Sequence, residues 1–239
     1  MTECRGEINS IETMGLVDGP GIRVVLFLQG CPLRCLFCHN PETWGKKGNI
    51  SMTPNEVVHR ISRYRNYFGE EGGVTFSGGE PLMQGEFLLE TLKLCKKNGI
   101  HTALDTSGVG KEYREILSYT DLVIWDVKAY EGEAYKKMTG LPISPSLTFL
   151  KTCQEMNKKM WIRQVIIPGI NDTEEYIEGL IAFLKPLKNI EKVELLPYET
   201  LGVHKYKKLD IAYPLKGVSP MDIQKCKRLE SMLREGLAL

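Results

Sequence analysis

Three of the seven cysteines stand close together in the stretch Gly30-Cys31-Pro32-Leu33-Arg34-Cys35-Leu36-Phe37-Cys38-His39-Asn40, with the spacing Cys-x3-Cys-x2-Cys. This stretch directly follows the β-branched run Arg23–Leu28, so it is predicted to leave the end of a strand. Structural zinc sites and ordinary electron-transfer clusters usually take four protein ligands. An iron–sulfur cluster held by only three thiolates would keep one metal corner free for water, substrate or cofactor.

Two other interpretations of the cysteine run stay open. Cys35, Cys38 and His39 match the attachment pattern of c-type haem, and together with Cys31 they could form a Cys3His zinc site. Haem attachment requires an exported chain. The polar segment of residues 1–10 lacks the apolar core of a signal peptide, which argues against haem. The run alone does not exclude zinc.

Composition predicts one globular domain over residues 1–239. Hydrophobic residues make up 42% and charged residues 26% of the chain, which is ordinary for a protein with a large core. The net charge is +1, and neither a basic stripe nor an apolar run of membrane-spanning length is present, so we expect no nucleic-acid or membrane partner. An odd number of cysteines without a disulfide framework predicts a reducing, cytoplasmic compartment.

Short β-branched runs alternate with amphipathic helical stretches. Strands are predicted at residues 23–28, 74–77, 101–105, 122–126, 160–167 and 192–196. Helices are predicted at residues 53–67, 86–98, 145–158, 173–184 and about 220–235. Six βα units imply an α/β fold with a parallel sheet and right-handed crossovers, curled into a partial (β/α)6 barrel with the last helix packed outside.

Polar residues cluster where the predicted strands end. The cluster loop, residues 30–40, follows the first strand, and Gly78-Gly79-Glu80-Pro81 follows the second. Asp105-Thr106 ends the third strand and Asp126-Val127-Lys128 the fourth. In parallel βα barrels the carboxyl-end rim carries the active site, so these segments are expected to converge. Each is typical of a turn or a helix cap, but together they favour a functional site.

The cysteine run followed by Gly78-Gly79-Glu80-Pro81 resembles the radical S-adenosylmethionine (radical SAM) superfamily. Within it, the chain is similar over nearly its whole length to the activating enzymes of glycyl-radical enzymes. The additional matching segments are Asp18-Gly19-Pro20-Gly21-Ile22-Arg23, Asp105-Thr106, Asp126-Val127-Lys128, Trp161-Ile162-Arg163, Pro168-Gly169, Glu194-Leu195-Leu196-Pro197-Tyr198 and Gly202-Val203-His204-Lys205.

This resemblance implies an oxidoreductase with one 4Fe-4S cluster held by Cys31, Cys35 and Cys38. The free iron would be chelated by the amine and carboxylate of S-adenosylmethionine. One electron would split the sulfonium, and the resulting deoxyadenosyl radical would remove hydrogen from a glycine of the partner, pyruvate formate-lyase. The cofactors carry the radical step, while the protein supplies orientation and electrostatics. The activating enzyme is expected to be a monomer.

The resemblance also assigns cofactor contacts to the strand ends. Gly78 and Gly79 lack side chains, so the backbone there can approach the methionyl ammonium. Asp105 balances the charge of that ammonium, and Lys128 meets the carboxylate. Lys128 is accordingly grouped with the cysteines as a catalytic residue.

Further cofactor contacts are expected from the loops. His39 and Asn40 are expected on the adenine side, and Phe37 stands where the family often has tyrosine. His204 is expected to contact the ribose. Glu80 is expected to anchor its loop.

Two more sites follow from the same resemblance. Asp105, Thr106 and Asp126 match positions that bind a monovalent cation beside the cofactor, and a cation would relieve the repulsion between two close carboxylates. Asp18, Arg23 and Arg163 match contacts to the glycine-bearing peptide.

Both peptide assignments have structural alternatives. The segment from Asp18 to Arg23 could be a turn that enters the first strand. Arg163, within an apolar strand, needs either a ligand or a buried ionic partner.

Asn40 to Ser77 contains no cysteine, whereas many activases of other glycyl-radical enzymes insert a cysteine-rich, ferredoxin-like segment there. The electron is therefore expected from an external donor such as flavodoxin or ferredoxin. An activase of another glycyl-radical enzyme, such as anaerobic ribonucleotide reductase, is the second hypothesis. A non-enzymatic zinc-binding adaptor is the third.

Overall fold

The computed structural model describes residues 4–239; the first three residues of the polar segment 1–10 lie outside the described residues. The strands are β1 (Gly6–Gly15), β2 (Arg23–Leu28), β3 (Ile50–Met52), β4 (Gly73–Gly78), β5 (His101–Thr106), β6 (Leu122–Asp126), β7 (Lys159–Ile166) and β8 (Ile190–Pro197). They form one open sheet in the order β3-β1-β2-β4-β5-β6-β7-β8. Strand β2 and strands β4 to β8 run parallel, while β1 is antiparallel to both β2 and β3.

The helices are α1 (Pro54–Ser62), α2 (Gly85–Lys97), α3 (Tyr113–Ser118), α4 (Gly132–Thr139), α5 (Ser144–Glu155), α6 (Glu174–Leu184), α7 (Val203–Lys208) and α8 (Ile223–Leu237). Local sequence explains where several begin. Thr53 and Glu56 form a reciprocal capping box at α1, with Pro54 in the first turn. Asp222 accepts a hydrogen bond from Lys225 N at the start of α8. Within residues 4–239, every helix is too short or too polar to span a bilayer.

The predicted partial barrel is confirmed in its six parallel strands, whose ends lie within two residues of the prediction. The two antiparallel strands were missed. In β1 the apolar residues Ile8, Ile11 and Met14 are spaced by three, so the sequence lacks the two-residue alternation of a regular strand, and the pairing with β2 is irregular at two points. The helix predicted for residues 53–67 ends at Ser62, and a 3-10 turn at Arg65–Tyr67 follows it.

The core lies between the sheet and the surrounding helices, but part of the sheet's inner face is charged. Asp126, Arg163 and Glu194 occupy aligned positions on β6, β7 and β8. Aligned residues on neighbouring parallel strands point to the same face. This charged row places ionic side chains inside the curve of the sheet.

Candidate active site

The cluster loop is fixed to the end of α4 by backbone hydrogen bonds. Arg34 N donates to Thr139 O at 2.8 Å, and Leu36 N donates to Met138 O at 3.0 Å. Helix carbonyls in the last turn lack partners within their own helix. The loop therefore satisfies the end of α4 while α4 holds the cysteines in place.

The Gly-Gly motif packs against the backbone of the cluster loop. Gly79 N donates to Leu28 O at 2.8 Å, and a Cβ on Gly79 would lie 2.4 Å from Gly30 O. Gly78 has φ of +112°, and a Cβ there would lie 2.3 Å from Leu28 N. Gly78 lies against β2 and Gly79 against the cluster loop, and neither contact has room for a Cβ, a reason that the sequence prediction did not include.

These segments enclose a cavity of about 370 Å³. Its volume lies in the ordinary range for small-molecule sites. Most of the predicted site residues line it: Asp18, Cys31, Cys35, Phe37, Cys38, His39, Asn40, Gly78, Gly79, Asp105, Thr106, Asp126, Lys128 and Arg163. The cavity is lined by residues from all six parallel strands and the loops beside them.

Burial raises the pKa of all three cavity thiols. The pKa of Cys31 rises to about 12 and that of Cys35 to about 11, and the pKa of Cys38 also lies above its ordinary value. For Cys35, the nearby Lys128 ammonium partly offsets burial. Because metals bind thiolates, cluster insertion at neutral pH must release protons from these residues.

Asp105 is half-buried in the cavity wall and accepts a hydrogen bond from Ser77 Oγ at 2.6 Å. Burial first, and the charge of Asp126 second, raise the pKa of Asp105 to about 7. Arg163, the Ser77 bond and Lys128 act in the opposite direction. A cation placed beside Asp105 would therefore stabilise its ionised carboxylate.

Lys128 Nζ donates to Asp126 Oδ2 at 2.7 Å and lies 5.3 Å from the centroid of the Phe37 ring. Burial alone would lower the pKa of Lys128, but Asp126, Cys35 and Asp105 outweigh it and raise the pKa above its ordinary value. The side chain consequently presents a fixed positive charge to the cavity.

Glu80 does not line the cavity; it joins two loops beneath it. Glu80 Oε1 accepts from Thr106 Oγ1 at 2.5 Å and from Leu82 N at 3.2 Å. Glu80 Oε2 accepts from Ser107 Oγ at 2.5 Å and from Ser107 N at 2.9 Å. The anchoring role predicted for Glu80 matches this position, and the Thr106 hydroxyl is engaged in the same network.

Replacing Glu80 with glutamine should lower the free energy of unfolding by about 1.5–3 kcal/mol, because an amide NH2 would face hydrogen-bond donors. Urea unfolding of the anaerobically prepared protein, followed by circular dichroism, measures this change. Glu86→Gln is the matched control, since Glu86 is exposed in the first turn of α2. Equal stability of the two variants would show that the Glu80 network contributes little.

Three predicted site residues lie outside the cavity lining: Glu80, His204 and Arg23. His204 is exposed on α7, and its Nδ1 is 2.8 Å from Leu201 O. Arg23 is fully buried at the amino end of β2, with its Nε bonded to Thr75 Oγ1 and its Nη2 to Val74 O, both at 2.6 Å. In this structure the Arg23 guanidinium bonds protein groups at the strand end opposite the cysteines.

Arg163 has an ionic partner and also lines the cavity. Its Nε donates to Glu194 Oε2 at 2.7 Å, and its Nη2 donates to Val17 O in the loop that carries Asp18. The side chain is only 8% exposed. The sequence left two explanations for Arg163, a ligand or a buried ionic partner. The ionic partner is present, and the guanidinium still lines the cavity.

The sequence prediction did not identify how α7 holds the cluster loop. Lys205 Nζ donates to Asn40 Oδ1 at 2.7 Å and to Glu42 Oε1 at 2.6 Å. Tyr206 OH donates to Cys38 O at 3.0 Å. The only sign in the sequence was that Lys205 lies in one of the segments that match the activating enzymes. Its contacts with Asn40 and Glu42 could not be predicted, because these partners lie more than 160 residues away along the chain.

The donor set fits a cluster better than a single metal ion. Cys31, Cys35 and Cys38 face one cavity. A structural zinc site is closed by four protein ligands, whereas a cluster with three protein ligands keeps one iron open. In a cubane cluster each thiolate binds a different iron, so the thiols stay apart.

The sequence pattern of the radical SAM superfamily matches residues 25–184. The chain belongs to the radical SAM superfamily. The pyruvate formate-lyase-activating enzyme of Clostridium pasteurianum is 51% identical to this radical SAM protein, over 96% of this chain and 98% of the relative. The enzyme of that name from Staphylococcus epidermidis is 43% identical over 93% of both chains. A solved radical SAM methyltransferase from Sphaerobacter thermophilus shares the fold, with a TM-score of 0.65 and 18% identity over 90% of this chain and 64% of that one.

These comparisons confirm the resemblance that the motifs predicted. Membership of the radical SAM superfamily implies a 4Fe-4S cluster and S-adenosylmethionine as cofactors. The cavity contains the groups that such cofactors need: three thiols, a fixed ammonium and an acidic side chain.

Proposed function

We propose that this radical SAM protein activates pyruvate formate-lyase by removing a hydrogen atom from one of its glycine residues. The observation that carries the proposal is the shared name of relatives that are 43% and 51% identical over nearly the whole chain. The cavity supports it, because the thiols, the charged wall and the loop that carries Asp18 meet there.

In this proposal Cys31, Cys35 and Cys38 hold the cluster. When bound, the cluster and S-adenosylmethionine supply the electron and the radical that takes the hydrogen. Asp105 and the backbone at Gly78-Gly79 orient the methionyl ammonium. This assignment is supported by their common position on the cavity wall.

Lys128 orients the methionyl carboxylate. Its bond to Asp126 fixes the ammonium position, and the low exposure of the side chain strengthens a charged contact. Phe37, His39 and Asn40 flank the adenine side. His204 has less support as a ribose contact, because it lies outside the cavity lining.

Asp105, Thr106 and Asp126 are proposed to bind a monovalent cation. The support is the mutual repulsion of two carboxylates in one cavity, which contributes to the raised pKa of Asp105. A cation between them would reduce that repulsion.

Asp18 and Arg163 are proposed to orient the glycine-bearing peptide. Both line the cavity, and Arg163 also bonds the backbone next to Asp18. Arg23 contributes indirectly, because Thr75 Oγ1 accepts from Arg23 and donates to Asp18 O at 2.6 Å. Arg23 is thus a positioning residue for the Asp18 loop.

Lys128→Ala should weaken S-adenosylmethionine binding by about 1–3 kcal/mol, the range for loss of a charge-assisted partner. Asp105→Ala should weaken it similarly. Anaerobic isothermal titration of the cluster-loaded protein measures both affinities. Unchanged affinity in both variants would place the methionyl group elsewhere.

The enzyme also needs an external one-electron donor. Flavodoxin or ferredoxin fits that need, and the seven free thiols support a reducing, cytoplasmic setting.

Activation of the partner tests the proposal directly. Anaerobically reconstituted protein, S-adenosylmethionine and reduced flavodoxin should generate a glycyl-radical paramagnetic resonance signal in added pyruvate formate-lyase. Anaerobic ribonucleotide reductase under the same conditions should give no glycyl-radical signal. The opposite pattern would assign the protein to the other glycyl-radical enzyme.

A further inference from the structure

Five exposed basic residues surround the outer side of the cluster loop; we call them the basic rim: Arg34, Lys46, Lys47, Lys136 and Lys137. Among residues 4–239, none of the five forms a salt bridge with an acidic side chain. The whole chain carries a net charge of only +1. The basic residues Lys136 and Lys137 lie in the last turn of α4, beside the loop, while the exposed acidic residues Glu131 and Glu133 lie at the other end of that helix.

Contacts made by Arg34 connect the basic rim into one surface. Arg34 N donates to Thr139 O, which places Arg34 beside the last turn of α4, where Lys136 and Lys137 lie. On its other side the Arg34 guanidinium lies 4.7 Å from the centroid of the Trp44 ring. Trp44 directly precedes the segment that carries Lys46 and Lys47.

The basic rim lies next to the cluster ligands. Arg34 and Cys35 are consecutive, so their Cα atoms are about 3.8 Å apart. Arg34 Nη1 also donates to Cys31 O at 2.9 Å. Arg34 is thus adjacent in sequence to one predicted cluster ligand and hydrogen-bonded to the backbone of another.

The basic rim leaves the cavity free. None of its five residues lines the cavity, which contains Asp18 and Arg163 on its wall. A protein docked on the rim would therefore approach the cluster through the loop and not through the cavity where the cofactor and the glycine are expected.

We propose that the basic rim is the docking surface of the external electron donor, and that this donor is a small acidic one-electron carrier protein. The inference rests on the proposed function, which needs one electron from outside for each cleavage of the cofactor. In the transfer the carrier loses one electron and the cluster gains it, and no bond forms or breaks. Opposite charges accelerate such encounters and make them sensitive to salt.

The test uses Lys136→Glu/Lys137→Glu, which reverses two rim charges on α4 and leaves the Arg34 contacts to the loop in place. Cluster reduction by flavodoxin hydroquinone is followed by stopped-flow absorbance at several ionic strengths. The rate at low salt should fall at least about tenfold, and its salt dependence should flatten. Reduction by the photogenerated radical of neutral deazariboflavin should proceed at the normal rate.

Lys227→Glu/Arg228→Glu is the matched control, with the same change of charge on the exposed face of α8. It should keep the normal flavodoxin rate. An unchanged rate in the rim variant, or an equal loss in the control, would overturn the docking assignment. Slow reduction by deazariboflavin would show a damaged loop and would also count against it.

One further measurement separates the docking surface from the glycyl-radical partner. With deazariboflavin as reductant, the rim variant should give the normal glycyl-radical yield in pyruvate formate-lyase. A loss there would assign the rim to the glycyl-radical enzyme and overturn the inference. If the unmodified protein is reduced rapidly by flavodoxin but gives no radical in pyruvate formate-lyase, the proposed function fails while the docking surface stands.

Discussion

Replacing any one of Cys31, Cys35 and Cys38 with serine is expected to abolish cleavage of S-adenosylmethionine. Thiolates are the protein ligands that hold iron–sulfur clusters, and a hydroxyl is a poor substitute. A cluster already limited to three protein ligands has no spare ligand to compensate. Iron and sulfide content, the paramagnetic resonance signal of the reduced cluster and the yield of deoxyadenosine measure the loss.

Cys95→Ala and Cys226→Ala are the controls for this result. Both thiols are buried among apolar side chains and lie outside the cavity. These variants should keep the cluster and the cleavage activity, with a modest loss of stability from the smaller side chain. Equal loss in all five variants would contradict the placement of the cluster. Stoichiometric zinc without sulfide in the anaerobically purified protein would favour the adaptor hypothesis instead.

The parallel strands were predictable because they are buried on both faces and therefore read as continuous apolar runs, such as Val24 to Leu28. Strand β1 was not, because its irregular pairing hides the alternation that identifies a half-exposed strand. The short helices α3, α4 and α7 contain only six, eight and six residues. So few residues give a weak periodic signal.

The cavity was predictable from strand ends, and the same rule explains why Arg23 lies away from the cavity lining. Arg23 begins β2, so it lies at the end opposite the cysteines, which follow Leu28. Asp18, five residues earlier in the loop before β2, nevertheless lines the cavity. The partners of Lys205 and Arg163 depend on tertiary packing and register, which a single sequence does not specify.

Arg163→Lys is expected to lower glycyl-radical formation in the partner by about 100-fold or more while deoxyadenosine formation stays near normal. Arginine uses one planar group to bond Glu194 with Nε and Val17 O with Nη2. Lysine keeps the charge but has no such fork, so it cannot hold both partners in the same geometry. The Asp18 loop should then lose its fixed position.

The expected size of this effect follows from hydrogen transfer itself. A displacement of about 1 Å from the near-attack geometry can cost about 100-fold in rate, even when the displaced residue touches no reacting atom. Deoxyadenosine and the glycyl-radical signal are measured in the same samples, so that any difference in cluster or cofactor content affects both measurements equally.

Glu194→Gln separates recognition from a purely structural ion pair. It removes the charge partner of Arg163 but keeps the guanidinium and its bond to Val17 O. If Arg163 orients the peptide, Glu194→Gln should retain much of the radical yield that Arg163→Lys loses. If the ion pair only stabilises the fold, both variants should lose deoxyadenosine and glycyl radical together, with equal losses in unfolding free energy. A normal radical yield in Arg163→Lys would refute the recognition role, because the guanidinium fork would then be dispensable for positioning the glycine.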